Sequence, residues 1–353
     1  MKAGFAEVLG AKSADRRQVY ADATETWRTS ANFIEKDFMV CATLNILFDE
    51  VPDAATKLVF KGGTSLSKAH NLVRRFSEDI DLVVVREELG FSGDNDPINP
   101  HANISGKERE RLKERLKGEA ATFIGETIKP LLEQRFGPFG ATVSVDEQDA
   151  QTLLIAYDTA LDDHLGYVDP VVKLEGGARS ATLPAHPAEI IPYAATSLDG
   201  LDLVVTGVQT IDAIRTFLDK VLILHGRHCY FRDKRQVFRD AKRESRHYYD
   251  LAMMTDAVGP RALADTELLA DVIRHGALGF GSGWMKFEEA ADGHLLIEPP
   301  PEVQVALRRD YEAMSGMILG DAPSFDWILE QISTIARLHE KLGSRSQNRN
   351  ADT

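Results

Sequence analysis

The stretch Leu58–Val85, LVFKGGTSLSKAHNLVRRFSEDIDLVVV, constrains this chain more than any other. Leu58, Val59 and Phe60 form a short apolar run that stops at Gly62-Gly63, the pattern of a buried strand entering a sharp turn. Two adjacent glycines also let backbone N–H groups come close to a ligand. Thr64 or Ser65 is then expected to cap a helix running to about Arg74, whose positive N-terminal end points into the same space. A site of this kind favours phosphate. The acidic half follows in SEDIDL, residues 77–82. On a strand, residues i and i+2 share a face, so Asp79 and Asp81 point one way and Ile80 and Leu82 the other. Two neighbouring carboxylates repel unless a cation sits between them, and hard oxygen donors suit Mg²⁺ bound with substrate phosphates. A phosphate cradle followed by a metal-binding pair is the minimal equipment for nucleotidyl transfer. The plainer alternative is a glycine turn followed by an acidic surface strand.

At 353 residues the chain is long enough for two lobes, and its 43% apolar content is enough for an ordinary core. No stretch approaches the length of a membrane span, and the N-terminus lacks an apolar signal region. The two cysteines, Cys41 and Cys229, sit in helix-like surroundings, so no disulfide framework is expected and a reducing cytoplasm is the default. A formal charge of −14 argues against broad, non-specific nucleic-acid binding. One basic segment stands out: Arg227 to Arg246 carries eight Lys/Arg against three Asp/Glu. It is either a surface facing RNA or a solvated helix face.

Residues 1–205 read as an α/β lobe with an N-terminal helical arm at Ser13–Arg28, and 206–353 as a helical lobe. Helices are expected at Ile34–Phe48, ended by Val51-Pro52-Asp53, and at Gly106–Arg135, with Leu112, Leu116 and Ala120 inward. Between them Glu87–Ser105 is a long loop, a kind that is usually functional or mobile. Strands are expected at Ala141–Gln148, Leu153–Tyr157 and Val168–Glu175, with a turn at Asp163–Gly166. The proline- and alanine-rich Leu183–Leu203 marks the lobe boundary. Beyond it, helices are expected at Thr210–Leu224, Arg235–Met254, Arg261–His275, Glu302–Met317 and Phe325–Leu342. A glycine-rich loop, Gly276–Gly283, separates two of these, and the polar tail GSRSQNRNADT is expected to be disordered.

GGTSLSK followed by RFSEDIDL resembles the first motif of the AbiEii/AbiGii-type toxins of bacterial abortive-infection and toxin–antitoxin systems. Those toxins belong to the DNA-polymerase-β-like nucleotidyltransferase superfamily. FLDKVLILHGR and RHYYDL extend the resemblance, which covers about residues 35 to 255 and places the family's later lysine and aspartate on Lys220 and Asp250. The resemblance implies an α/β fold: a polymerase-β-like core with a small mixed sheet, a helical C-terminal lobe, and an active site in the cleft between them. It implies Gly62, Gly63, Thr64, Ser65 and Lys220 as nucleotide-binding residues, and Asp79, Asp81, Lys220 and Asp250 as catalytic ones. The metal, Mg²⁺ or Mn²⁺, would be held by Asp79, Asp81 and a third carboxylate from a neighbouring strand, for which Glu175 is the best candidate. Arg179 could reach a phosphate. Lys220 would meet charge developing on pyrophosphate, or else be a lysine extending its stem along apolar surface. Asp250 is left open: it orients Lys220 or Arg246, positions a water, or has no chemical task. Tyr248, Tyr249 and His247 are expected to be structural. The implied partners are an NTP, an RNA acceptor such as a tRNA 3′ end, and a cognate antitoxin. A small-molecule nucleotidyltransferase of the antibiotic-modifying type and a non-catalytic binding protein that keeps the fold remain as alternatives.

Overall fold

The computed structural model describes residues 1–51, 53–161, 169–236 and 243–351. The expected stop at Pro52, the expected turn at Asp163–Gly166 and the middle of the basic segment, including Arg239, lie outside them. Contacts divide the chain into two compact units, Met1–Ile211 and Asp212–Thr353.

In the first unit, seven strands form one mixed sheet: β1 (Leu58–Lys61), β2 (Asp79–Val84), β3 (Thr142–Val145), β4 (Thr152–Ala156), β5 (Val171–Glu175), β6 (Ala185–Ile190) and β7 (Val205–Ile211). Their order is β3-β4-β5-β2-β1-β7-β6. β2 is central, antiparallel to β1 and parallel to β5. Its last three residues, Leu82, Val83 and Val84, are all buried, because both faces of the strand are covered there. Among the described residues, seven α-helices accompany the sheet: α1 (Ala3–Gly10), α2 (Ser13–Trp27), α3 (Ala31–Glu50), α4 (Ala54–Lys57), α5 (Gly62–Lys68), α6 (Gly106–Phe123) and α7 (Lys129–Phe136). α3 packs against β5 and β7 and is buried from Phe33 to Leu47. A helix buried all round is a core element rather than a surface one.

Three parts of this unit differ from expectation. The stretch read as a proline-rich boundary contains β6, and β7 begins just beyond it; Pro187 is tolerated because β6 is an edge strand. Ile211, expected on a helix, ends β7 instead. The long loop after β2 is tied down: Arg86 Nε meets Asp96 Oδ2 at 3.0 Å, and Phe91 and Ile98 are buried. The charged helix buries Leu112, Leu116 and Ala120 as expected, and Ser105 Oγ caps it by accepting the Glu108 N–H. It then widens to a π-turn at Ile124–Ile128 before α7. Pro130 explains this, since its ring crowds the carbonyl four residues earlier, at Glu126.

The elements described in the second unit are helices joined by loops: α8 (Ala213–Lys234), α9 (Ser245–Met254), α10 (Gly259–Ala264), α11 (Thr266–Phe280), α12 (Phe287–Ala291), α13 (Pro301–Met314) and α14 (Phe325–Ala351). Asp212 opens α8 by accepting the Ile214 N–H at 2.8 Å, and Asp265 caps α11. Gly276 and Gly279 lie inside α11 rather than in a loop. A Cβ on Gly276 would come within 2.7 Å of the Phe287 ring, so this glycine serves close packing against α12. α14 runs to Ala351, so the tail expected to be disordered continues a helix as far as the description goes. Once a helix is nucleated on buried residues such as Ile328, Ile332 and Ile335, extending it costs little. Among the described residues, no helix is long and apolar enough to cross a membrane.

Candidate active site

Gly62 opens α5 directly after the end of β1. Its φ is +79°, in the region that favours glycine. A Cβ placed there would lie 1.8 Å from Asp81 Oδ2. The strand carboxylate therefore rests directly over the glycine turn. Gly63 is similarly crowded, since a Cβ would come within 2.3 Å of an Arg75 guanidinium nitrogen. The helix expected to start at Thr64 or Ser65 includes both glycines and ends at Lys68. Neither hydroxyl caps it: Thr64 Oγ1 donates to the Asp79 carbonyl, and Ser65 Oγ donates to the Gly62 carbonyl at 2.9 Å. The helix stops short of Arg74 because Asn71 adopts a left-handed conformation and the Leu72 N–H returns to the Leu66 carbonyl.

Register fixes what lies beside the two aspartates. Asp81 is paired with Lys61 on β1 and with Glu175 on β5, and Asp79 is paired with Lys173. Directly paired residues share a face, so five charged side chains form two short rows on one face of the sheet. Val59, Val83 and Ile211 continue that face as a small apolar cluster. Glu175 is held by Lys173, whose ammonium lies 2.6 Å from Glu175 Oε1. That hydrogen bond, with the negative charges of Glu175, Asp79 and Asp146, raises the lysine pKa. Among the described residues, no three His, Cys, Asp or Glu side chains gather as a ready metal cluster. The donor set nonetheless fits Mg²⁺, which binds through one or two carboxylates and keeps waters and substrate phosphates as its other ligands. Because Gly62 carries no side chain, the Asp81 carboxylate has room beside the turn.

The site is braced by three consecutive charged residues of α3, each 3% exposed. Glu35 accepts the Ala160 N–H at 2.7 Å and the Thr159 hydroxyl. Burial raises its pKa, and those two bonds partly offset the rise. Lys36 reaches Glu78, next to Asp79, at 2.8 Å and the Asp169 carbonyl at 3.2 Å. Asp37 binds Lys68 at 2.8 Å and accepts the Tyr193 N–H at 2.6 Å, while the Lys68 ammonium sits 3.6 Å from the centre of the Tyr193 ring. Burial works against the charge on Lys68, and Asp37 more than offsets it, so the lysine pKa is raised. Sequence reasoning saw only the apolar face of IEKDFMVCATLNILF; a run of three charges inside it was the available signal.

In the second unit the structure brings together the two later residues. Lys220 Nζ lies 2.9 Å from Asp250 Oδ2, with the lysine side chain 8% and the aspartate 0% exposed. Holding Lys220 is one of the roles left open to Asp250, and this ion pair is consistent with it. Tyr248 and Tyr249 are buried core residues, and the Tyr248 hydroxyl meets His228 Nε2 at 2.9 Å. Cys41 and Cys229 are buried free thiols. The basic segment is partly neutralised: Arg227 pairs with Glu244, and Arg232 makes two hydrogen bonds to Glu289. Lys234 and Arg235, at the end of α8, are exposed.

The model of the family described as nucleotidyl transferase AbiEii toxin, type IV toxin–antitoxin system, matches residues 45–331. The chain belongs to the AbiEii family. It is thus a nucleotidyltransferase toxin of the type IV toxin–antitoxin class. The AbiEii match takes in Gly62-Gly63, both aspartates, Glu175, Lys220 and Asp250, and begins after the three α3 charges. Among solved structures, MenT4, a nucleotidyltransferase toxin from Mycobacterium tuberculosis H37Rv, is similar at 18% identity over 94% of this AbiEii chain and 99% of its own, with a TM-score of 0.45. No curated protein matches the chain.

Proposed function

We propose that the chain transfers a nucleoside monophosphate from an NTP to an acceptor hydroxyl, using Mg²⁺ or Mn²⁺ held by Asp79 and Asp81. The observation that carries this reading is the Asp81 carboxylate resting over Gly62, which joins a metal donor to a backbone turn that phosphate can approach. A divalent ion bound there supplies positive charge to the attacking and leaving oxygens. Asp79 and Asp81 provide its oxygen donors. Glu175, now paired with Lys173, would be the third oxygen donor once released from that lysine. Gly62 and Gly63 leave the N–H groups of the turn accessible to phosphate oxygens, and Thr64 fixes the turn against β2 through the Asp79 carbonyl. Ser65 binds nucleotide by exchanging its bond to the Gly62 carbonyl for one to a phosphate. Lys220 is assigned to the triphosphate on family grounds, with Asp250 keeping its ammonium charged and in place.

The acceptor is RNA, with a tRNA 3′ end as the hydroxyl, a cognate antitoxin is the protein partner, and the cytoplasm is where these meet. Lys234 and Arg235 support the RNA assignment as exposed cations on a chain of charge −14. The test is incubation of the purified chain with each labelled NTP, Mg²⁺ and total RNA, or a panel of small hydroxylated acceptors. Label on RNA that is lost in both Asp79→Ala and Asp81→Ala supports the reading, provided both variants keep the fold. Undiminished labelling in both variants refutes the metal pair. In an RNA-binding salt series, Arg235→Glu/Arg239→Glu should flatten the steep wild-type slope. Parallel slopes, or label on a small acceptor alone, favour the antibiotic-modifying alternative.

A further inference from the structure

We propose that Lys61 is a phosphate-binding residue of the nucleotidyltransferase site, an assignment that rests on the function proposed above. Four lysines stand on the elements that form or brace the aspartate face, and three are neutralised by a carboxylate. Lys36 is held by Glu78, Lys68 by Asp37 and Lys173 by Glu175. Lys61 differs. Its ammonium donates to the hydroxyl of Ser180 at 2.9 Å, and among the described residues it joins no ion pair. It is half-buried, immediately precedes Gly62, and stands opposite Asp81 in the ladder. A partly desolvated ammonium with only a neutral partner gains from any anion that arrives.

Ser180 is itself fixed. Its carbonyl accepts from Arg86 Nη1 at 3.1 Å, and Arg86 is anchored to Asp96 at 3.0 Å. The hydroxyl therefore holds the ammonium at a defined place beside the glycine turn, and a hydroxyl gives up a lysine more readily than a carboxylate does. The ligand chemistry that fits is a polyphosphate, delivered as the tail of an NTP whose metal sits on Asp79 and Asp81. The competing explanation is that Lys61 only ties the segment after β5 to the end of β1.

Three variants of the full chain separate the two: Lys61→Met removes the charge, Lys61→Arg keeps it, and Ser180→Ala removes the tie alone. Each is titrated at equilibrium, with Mg²⁺ and no acceptor, against the α,β-methylene triphosphate of each base and the matching monophosphate. Lys61→Met should weaken triphosphate binding at least about tenfold, the loss of one charged hydrogen bond. It should leave monophosphate binding much less affected. Lys61→Arg and Ser180→Ala should stay near wild type. The proposal is overturned if Lys61→Met binds triphosphate like wild type, or if Ser180→Ala loses as much as Lys61→Met. Should the wild-type chain bind none of the four triphosphates, the nucleotidyltransferase reading falls, and this one with it.

Discussion

Gly62→Ala has two separable effects. The first is backbone strain: a φ of +79° costs an L-residue about 1–2 kcal/mol. The second is overlap, because the new methyl would sit 1.8 Å from Asp81 Oδ2 and 2.6 Å from its Cγ. The carboxylate can escape by rotating, at the order of 1–3 kcal/mol for forced repacking. The expected total is thus roughly 2–5 kcal/mol. Asp81→Ala removes the oxygens and the carboxyl carbon, leaving only a Cβ at 2.9 Å. In that background Gly62→Ala keeps its backbone strain and this residual close contact, so its cost should fall only by the share owed to the carboxylate, a coupling of about 1–3 kcal/mol. Trp27, which donates to the Tyr193 carbonyl, reports on the first unit once Trp284 and Trp327 are changed to Phe. Urea unfolding followed by its fluorescence gives the cycle, and transfer activity should vanish in the single Gly62→Ala variant because the carboxylate has turned away. An equal cost of Gly62→Ala in both backgrounds would show that no carboxylate lies over the turn.

Two other expectations concern the second unit. Asp250→Ala takes the carboxylate away from the buried Lys220 ammonium, at a cost of about 3–5 kcal/mol, and adding Lys220→Met should restore much of it; additive losses in a double-mutant cycle would contradict a buried ion pair. Burial also lowers the His228 pKa to about 4 from its ordinary 6.5. The unfolded chain then binds the extra proton first, so stability is full above pH 6.5 and falls as pH drops towards 4, by roughly 3 kcal/mol in all. Unfolding free energies of wild type and His228→Gln across that window should diverge by this slope, and parallel curves would mean that the imidazole titrates freely.

The parts of the fold legible in the sequence were those set by short-range patterns. DIDLVV announced β2 through its alternation, and the aspartates do share a face. KERERLKERLKGEA announced its helix through three inward residues, all of them buried. What escaped was decided by distant partners. AHPAEI carries a proline and little β-branching, and it is a strand only because β7 offers an edge for it to pair with. The sequence placed Gly276 in a loop for want of Phe287, eleven residues on. Within the candidate site, the glycines and aspartates were visible as a motif. The lysines around them were not, because a lysine's meaning depends on whether it faces Glu78, Asp37, Glu175 or the hydroxyl of Ser180.

The charged triplet of α3 has a consequence for where this protein can be cut. Successive helix residues point about 100° apart, so Glu35, Lys36 and Asp37 fan out toward three different segments of the chain. They act like a three-toothed key: turning α3 by one position would disengage every tooth at once. Yet the match to the AbiEii family model starts at residue 45, beyond all three. A chain trimmed to the matched region would keep every residue of the glycine turn and both aspartates. It would also lose the Asp37–Lys68 and Lys36–Glu78 ion pairs. The span that carries the family's signature is therefore smaller than the span that can hold the aspartate face in shape.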